Sequence, residues 1–179
     1  NYIVPFLIGS QLARFFRHKE IYHHIIGLLG SEAAGFSLLL LLAYIMVLIG
    51  IRLGNRWLGH TEAPLFGRFS PMVPILIPMA FGGELVYRIS YLARGIGDFI
   101  PTLGRQTGIH FLQTLGFTIP DFPIQIFSAF FMLNSSIAAC YILWRFCLED
   151  EDGAIKLHSF IGLNLLISLF LLAYLFVIF

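Results

Sequence analysis

Long apolar runs alternate along this chain with short clusters of charged and aromatic residues. Four of the runs, at about residues 33–51, 71–94, 122–147 and 157–179, are long enough to cross a bilayer as helices, since about 20 apolar residues, each rising ~1.5 Å, cover its hydrocarbon core. Residues 2–13, YIVPFLIGSQLA, are apolar but too short to span alone, and Pro5 interrupts them. They predict the tail of a longer helix, giving a fifth span at the N-terminus, or a segment lying at the interface. The next run, Arg14–His24, interleaves Arg14, Arg17, His18, Lys19, Glu20, His23 and His24 with Phe15, Phe16, Ile21 and Tyr22. Rings beside cations suit the headgroup level, where both find partners.

The runs differ in what they carry. Residues 33–51 follow Ser31 and Glu32, a capping oxygen and a negative charge where a helix start favours both. Their Leu-rich centre has no polar handle and predicts a lipid-facing or scaffolding helix. Residues 71–94 hold Pro74, Pro78, Gly82 and Gly83 inside and Glu84 and Arg88 before the end. The connection 95–120 is rich in Gly and Pro, with Asp98, Arg105, Gln106, His110 and Gln113 between apolar residues. It predicts an extramembrane or re-entrant segment with a short amphipathic helix around 104–115, placed to cap a cavity at one membrane face. Residues 122–147 contain Gln125, Asn134, Ser135 and Ser136, groups that bond across to neighbouring membrane helices, so this run predicts a packing helix. The acidic turn Glu149–Asp152 and Gly153 then lead into residues 157–179, which carry no charge.

Composition agrees with lipid as the solvent. The 179 residues are 58% hydrophobic and 12% charged, with a mean hydropathy of +0.86, more apolar surface than a soluble domain of this size buries. The expected fold is a single all-α integral membrane domain. A net charge of +1, from cations scattered singly, offers no footprint for nucleic acid. If the spans alternate, Arg14, Arg17, Lys19, Arg94 and Arg105 share one side and Arg52, Arg56, Arg68, Arg145 and Lys156 the other. That balance leaves orientation undetermined by the distribution of positive charge. The chain begins at Asn1 and ends at Phe179 inside an apolar run, with no secretory signal at its start, as a fragment or processed product would.

Candidate chemistry centres on the second span. A carboxylate inside a membrane costs about 2.5–3.5 kcal/mol on insertion scales, so Glu84 should face protein or a wet cavity. Glu84 and Arg88 are four apart and pair on one helix face. Tyr87 and Tyr91 flank them at the same spacing. These four residues form either a structural ion pair with belt aromatics or the polar lining of a quinone head-group pocket, where a redox-active ring needs a proton donor or acceptor. A membrane haem needs histidines at matching depth on facing helices. His23 or His24 with His158 is the best set available, but all three fall at interfaces, so haem b is not expected. Cys140 and Cys147, seven apart on one helix, lie about 10 Å apart and do not suit a disulfide. Two thiols cannot hold an iron–sulfur cluster alone.

The pattern IPMAFGGELVYR, the PTLGRQTG connection and a packing helix ending in ACYILWRF, over roughly residues 66–147, resembles the membrane portion of bacterial membrane-bound polyferredoxins. That group includes proteins feeding periplasmic nitrate and nitrous oxide reductases. The resemblance implies quinol-linked electron transfer, with cysteine-rich ferredoxin motifs carrying the electrons. This chain departs from the group in having no such motif, so any clusters belong to another segment or a partner, and no ligand residue carries over. The expected function is a membrane subunit of a respiratory-type redox complex in an energy-transducing membrane. It would anchor cofactor-bearing partners among other membrane subunits and handle quinone or protons. A small transporter or channel module, with a broken helix at 71–94, and a purely structural subunit are the alternatives.

Overall fold

The computed structural model describes residues 3–17, 19–58, 72–149 and 157–179. They form α1 (Ile3–Phe16), α2 (Glu20–Leu29), α3 (Glu32–Trp57), α4 (Met72–Thr107), α5 (His110–Gln113), α6 (Asp121–Glu149) and α7 (Leu157–Ile178). Among the described residues there is no strand, and α3, α4, α6 and α7 are long and apolar enough to cross a membrane. In lipid every backbone polar group needs an internal partner, and a helix supplies it within one segment. The fold is therefore the all-α membrane architecture that the apolar runs predict.

Local signals set the helix ends. Ser31 caps α3, its Oγ accepting from the Ala34 N–H at 3.4 Å. Gly30 closes α2 in the left-handed region at φ 66°, donating its N–H to the Ile26 carbonyl. That turn sends α3 back along α1. One membrane face then collects the C-terminal ends of α1 and α7, the N-terminal ends of α3 and α6, and α4 near Tyr91. Three contacts record this: Gln125 Nε2 donates to the Ile178 carbonyl at 3.2 Å, Arg94 pairs with Asp121 at 3.1 Å, and the Lys19 ammonium lies 6.0 Å from the Phe176 ring centroid.

The N-terminal segment is a helix seated among the others rather than a strip at the interface. At 14 residues, α1 reaches only about 21 Å, yet Ile8 through Ala13 are all buried, packed against α3, α4 and α7. Gly9 permits the approach: a Cβ there would sit 3.1 Å from the Cα of Tyr44 on α3. After α1, helix α2 leaves Ile21, Leu28 and Leu29 exposed while Tyr22 is buried against α3.

Helix α3 is less featureless than its Leu-rich centre implies. Gly50 and Gly54, the ends of a GIRLG sequence, face Phe170 and Leu166 of α7 and Met72 of α4, and a Cβ at either would come within 2.7 Å of those side chains. Small residues four apart let membrane helices meet backbone to side chain, where lipid supplies no hydrophobic drive for association. On α6 the expected cross-helix bonds are fewer than the polar residues suggest. Asn134, Ser135 and Ser136 bond to carbonyls of their own helix, those of Phe130, Phe131 and Leu133, while Gln125 reaches α7 and Ser128 contacts Ser90 of α4.

The connection at 95–120 also differs from expectation. Helix α4 continues unbroken to Thr107, and its 36 residues extend about 54 Å, well beyond a hydrocarbon core of ~30 Å. Pro74 falls in its first turn, where no N–H is needed, and Pro78 deprives only one carbonyl of its donor. The glycines that read as loop are packing positions. Gly97, Pro101 and Gly104 are buried along one face, and the chain from α5 to Phe117 folds back over it after a turn at Gly108 (φ 74°). A Cβ on Gly97 would lie 1.6 Å from the Phe117 carbonyl oxygen, and one on Gly104 would lie 2.8 Å from the Gln113 nitrogen. The short helix is accordingly His110–Gln113 rather than 104–115.

Because backbone cannot yield as a side-chain tip does, Gly97→Ala should destabilise this projection by about 1–3 kcal/mol. Limited proteolysis should then cut within 112–117 faster than in the parent chain. Gly95→Ala, with nothing within 4 Å of the added Cβ, should not; equal cleavage of both variants would contradict the packing described.

Candidate functional site

The site is built on the middle of α4, where Gly82 and Gly83 bring three neighbours against the backbone. A Cβ on Gly82 would meet Ser135 Oγ of α6 at 2.0 Å, and one on Gly83 would meet Gln11 Oε1 at 2.3 Å and the Tyr174 hydroxyl at 2.8 Å. Gln11 of α1 and Tyr174 of α7 are both wholly buried. The Tyr174 hydroxyl donates to Gln11 Oε1 at 2.5 Å, and Gln11 Nε2 donates to the Ala80 carbonyl at 2.9 Å. One amide thus ties α1, α4 and α7 together at a single level. Among the described residues no buried side-chain polar atom lacks a partner, as lipid requires.

Glu84 emerges one residue beyond this clamp. Its carboxylate accepts from Arg88 Nε at 2.8 Å, the pair that the four-residue spacing predicts, and it also lies 3.9 Å from Arg14 of α1. The Arg14 guanidinium is 5.2 Å from the Tyr87 ring centroid, within range of the ring's negative face. Phe15 meets Tyr87 edge-on at 5.8 Å. Five residues from two helices, α1 and α4, therefore form a small cluster in which Arg14 is the hinge between the carboxylate and the rings.

Beside the cluster a cavity of about 640 Å³ opens at the membrane face where α1 and α7 end, a volume within the usual range for small-molecule sites. Arg14, Arg17, Tyr87, Ser90, Tyr91 and Arg94 supply much of its polar wall. The charges are tethered, with Arg17 bonded to Glu32 and Arg94 to Asp121. Ser128, whose Oγ donates to the Ile124 carbonyl at 2.6 Å, lies 3.3 Å from the Ser90 hydroxyl across the α4–α6 seam. The wall offers guanidinium and hydroxyl donors around an aromatic floor. It suits a planar or headgroup-like ligand with oxygen acceptors.

The sequence candidates divide accordingly. Tyr87 and Tyr91 line the cavity, and Glu84 reaches it through Arg14. Arg88 points outward, its side chain 71% exposed. His23 and His24 are exposed on α2. The side chain of His158 lies outside the described residues, but its position is in the first turn of α7, and about 27 Å of helix separates it from residue 176. Lys19, just before α2, sits against Phe176, so these histidines occupy opposite ends of the bundle and do not form a haem site together. Cys140 and Cys147 are half-buried thiols on α6. Among the described residues no group of three or more His, Cys, Asp or Glu is placed to hold a metal.

Arg14, Gln11, Tyr174 and Ser90 were not legible as site residues. A polar Gln in an apolar segment was a signal for Gln11; Arg14 was hidden within an interfacial cluster.

No protein-family model matches the chain, and comparison with curated proteins and with solved structures yields no match.

The clamp predicts non-additivity. Tyr174→Phe and Gln11→Leu each strand a buried partner, whereas the double variant removes both, so their combined destabilisation should fall short of the sum by about 0.5–1.5 kcal/mol. Unfolding of the helices in mixed detergent micelles measures it, and strictly additive losses would rule out the bond.

Proposed function

We propose that this chain is the quinone-binding membrane subunit of a multi-subunit redox complex in an energy-transducing membrane. The observation that carries the reading is the cavity in which Tyr87, Tyr91 and Ser90 face Arg14, itself held by Glu84. A quinone head group is a flat ring with two carbonyl oxygens. Arg14 and Tyr87 are suited to donate to one of them, and Ser90 or Arg94 to the other, while the tyrosine rings cover its face. Charged donors of this kind make the stronger hydrogen bonds.

In the oxidising direction a quinol loses two protons and two electrons. The two electrons would leave in two successive one-electron transfers to oxidised haem or iron–sulfur centres on a partner chain, because Cys140 and Cys147 cannot hold a cluster alone. The protons leave through the open face of the cavity, with the Glu84 carboxylate as the nearest acceptor beside Arg14. The projecting half of α4 and the segment folded over it form the platform for that partner. The resemblance of residues 66–147 to the membrane portion of polyferredoxins supports the same assignment. The broken helix at 71–94 that the transporter alternative invoked is not what α4 shows, since the helix is continuous from Met72 through Thr107.

The test is titration of the full chain in nanodiscs with a short-chain benzoquinone and a naphthoquinone, read by quenching of intrinsic fluorescence. Saturable binding of at least one is expected. Arg14→Gln should weaken it about tenfold, the loss of one charge-assisted bond, with Tyr87→Phe weaker by less and helicity unchanged in both. Quenching that never saturates, or that ignores both substitutions, would overturn the proposal.

A further inference from the structure

A second cavity, about 290 Å³, lies against the first and is lined by apolar side chains alone. Leu39, Ala43 and Met46 of α3 form one wall, Ala173 and Val177 of α7 another, and Phe16 of α1 the end nearest the face. Val177 lines both cavities, and neighbouring residues of α1 divide between them, Phe15 facing the first and Phe16 the second. The order along α3 and α7 is the same. On α3 the head-group cavity takes Phe36 and the apolar groove takes positions from Leu39 to Met46; on α7 the sequence runs from Ile178 back to Ala173. The groove therefore leads from the polar cavity toward the bilayer centre, over about 10 Å along α3. Leu42, Met46 and Phe176 are exposed at its mouth, so it opens sideways into lipid.

We infer that this groove is the exit path for the polyprenyl tail of the quinone whose head group occupies the Arg14–Tyr87 cavity, an inference that rests on the quinone reading above. A lipid-soluble quinone enters and leaves its site from the membrane, so its head-group cavity needs a lateral, apolar opening at the depth where the tail begins. Continuity through Val177 supplies it. The groove is a single slot, which one chain fills. Ala43 and Ala173 keep it open, since a large side chain at either position would occupy the space the tail needs.

Ala173→Trp tests the path. In phosphatidylcholine nanodiscs, a tail-less quinone should bind the variant as it binds the parent chain, while a prenylated quinone with the same ring should bind the variant about tenfold more weakly. Equal binding of the prenylated quinone to both proteins would overturn the groove assignment and leave the head-group reading intact. Failure of both quinones to bind the parent chain would overturn that reading as well. A prenylated quinone with a photoreactive group near the start of its tail keeps the inference testable if the variant does not fold. Labelling of the parent chain within 39–46 and 173–177 is expected. Labelling confined to other segments, or labelling of the groove by a photoreactive phospholipid that excess quinone does not displace, would overturn it.

Discussion

The Gln11 side chain is the point on which the bundle depends. Helices in lipid gain nothing from hiding apolar surface from one another, so their association rests on close packing and on the few polar bonds that cross between them. Gln11 provides both at once. Its amide accepts from Tyr174 and donates to Ala80, and it lies so close to Gly83 that any side chain there would collide with it. Helix α1 thereby becomes the centre around which α3, α4 and α7 close. An average cross-helix hydrogen bond in a membrane contributes about 0.6 kcal/mol, so the packing that Gly9, Gly50, Gly54 and Gly83 allow carries more of the stability than the bonds do. The bonds fix which faces meet.

That arrangement determines where the chemistry sits. Seating α1 inside the bundle delivers Arg14 to Glu84 and Tyr87, residues separated from it by some seventy positions of sequence. The carboxylate inside the second span is then no isolated cost. It lies 3.9 Å from a guanidinium that lines a cavity at the membrane face, and an apolar groove adjoins that cavity's polar wall. The fold leaves unfilled the space between the end of α1 and its neighbours, and that space is where an amphiphile is proposed to bind.

What the sequence revealed follows from the range over which each signal acts. A bilayer-spanning helix announces itself within about 20 residues, and the Glu84–Arg88 pair within one turn, so both were readable. Tyr87 and Tyr91 were readable for the same reason, as neighbours of that pair. The role of α1 was not, because shortness argues for an interface unless the enclosing helices are known. Gly97, Pro101 and Gly104 misled in the opposite sense: residues that usually mark loops here flatten a helix face so that the chain can return over it. Arg14 illustrates the general limit, since nothing local distinguishes it from Arg17 or from a snorkelling cation in a headgroup belt.

The most direct measurement of the central claim, that the cavity beside Arg14 and Tyr87 holds a quinone, is the quinone content of the chain itself. The protein is purified in mild detergent from quinone-containing membranes, and bound quinone and phospholipid are extracted and quantified by mass spectrometry. Quinone should be retained in stoichiometric amount with the chain, far above its ratio to phospholipid in the starting membrane. Recovery at no more than that ambient ratio would contradict it.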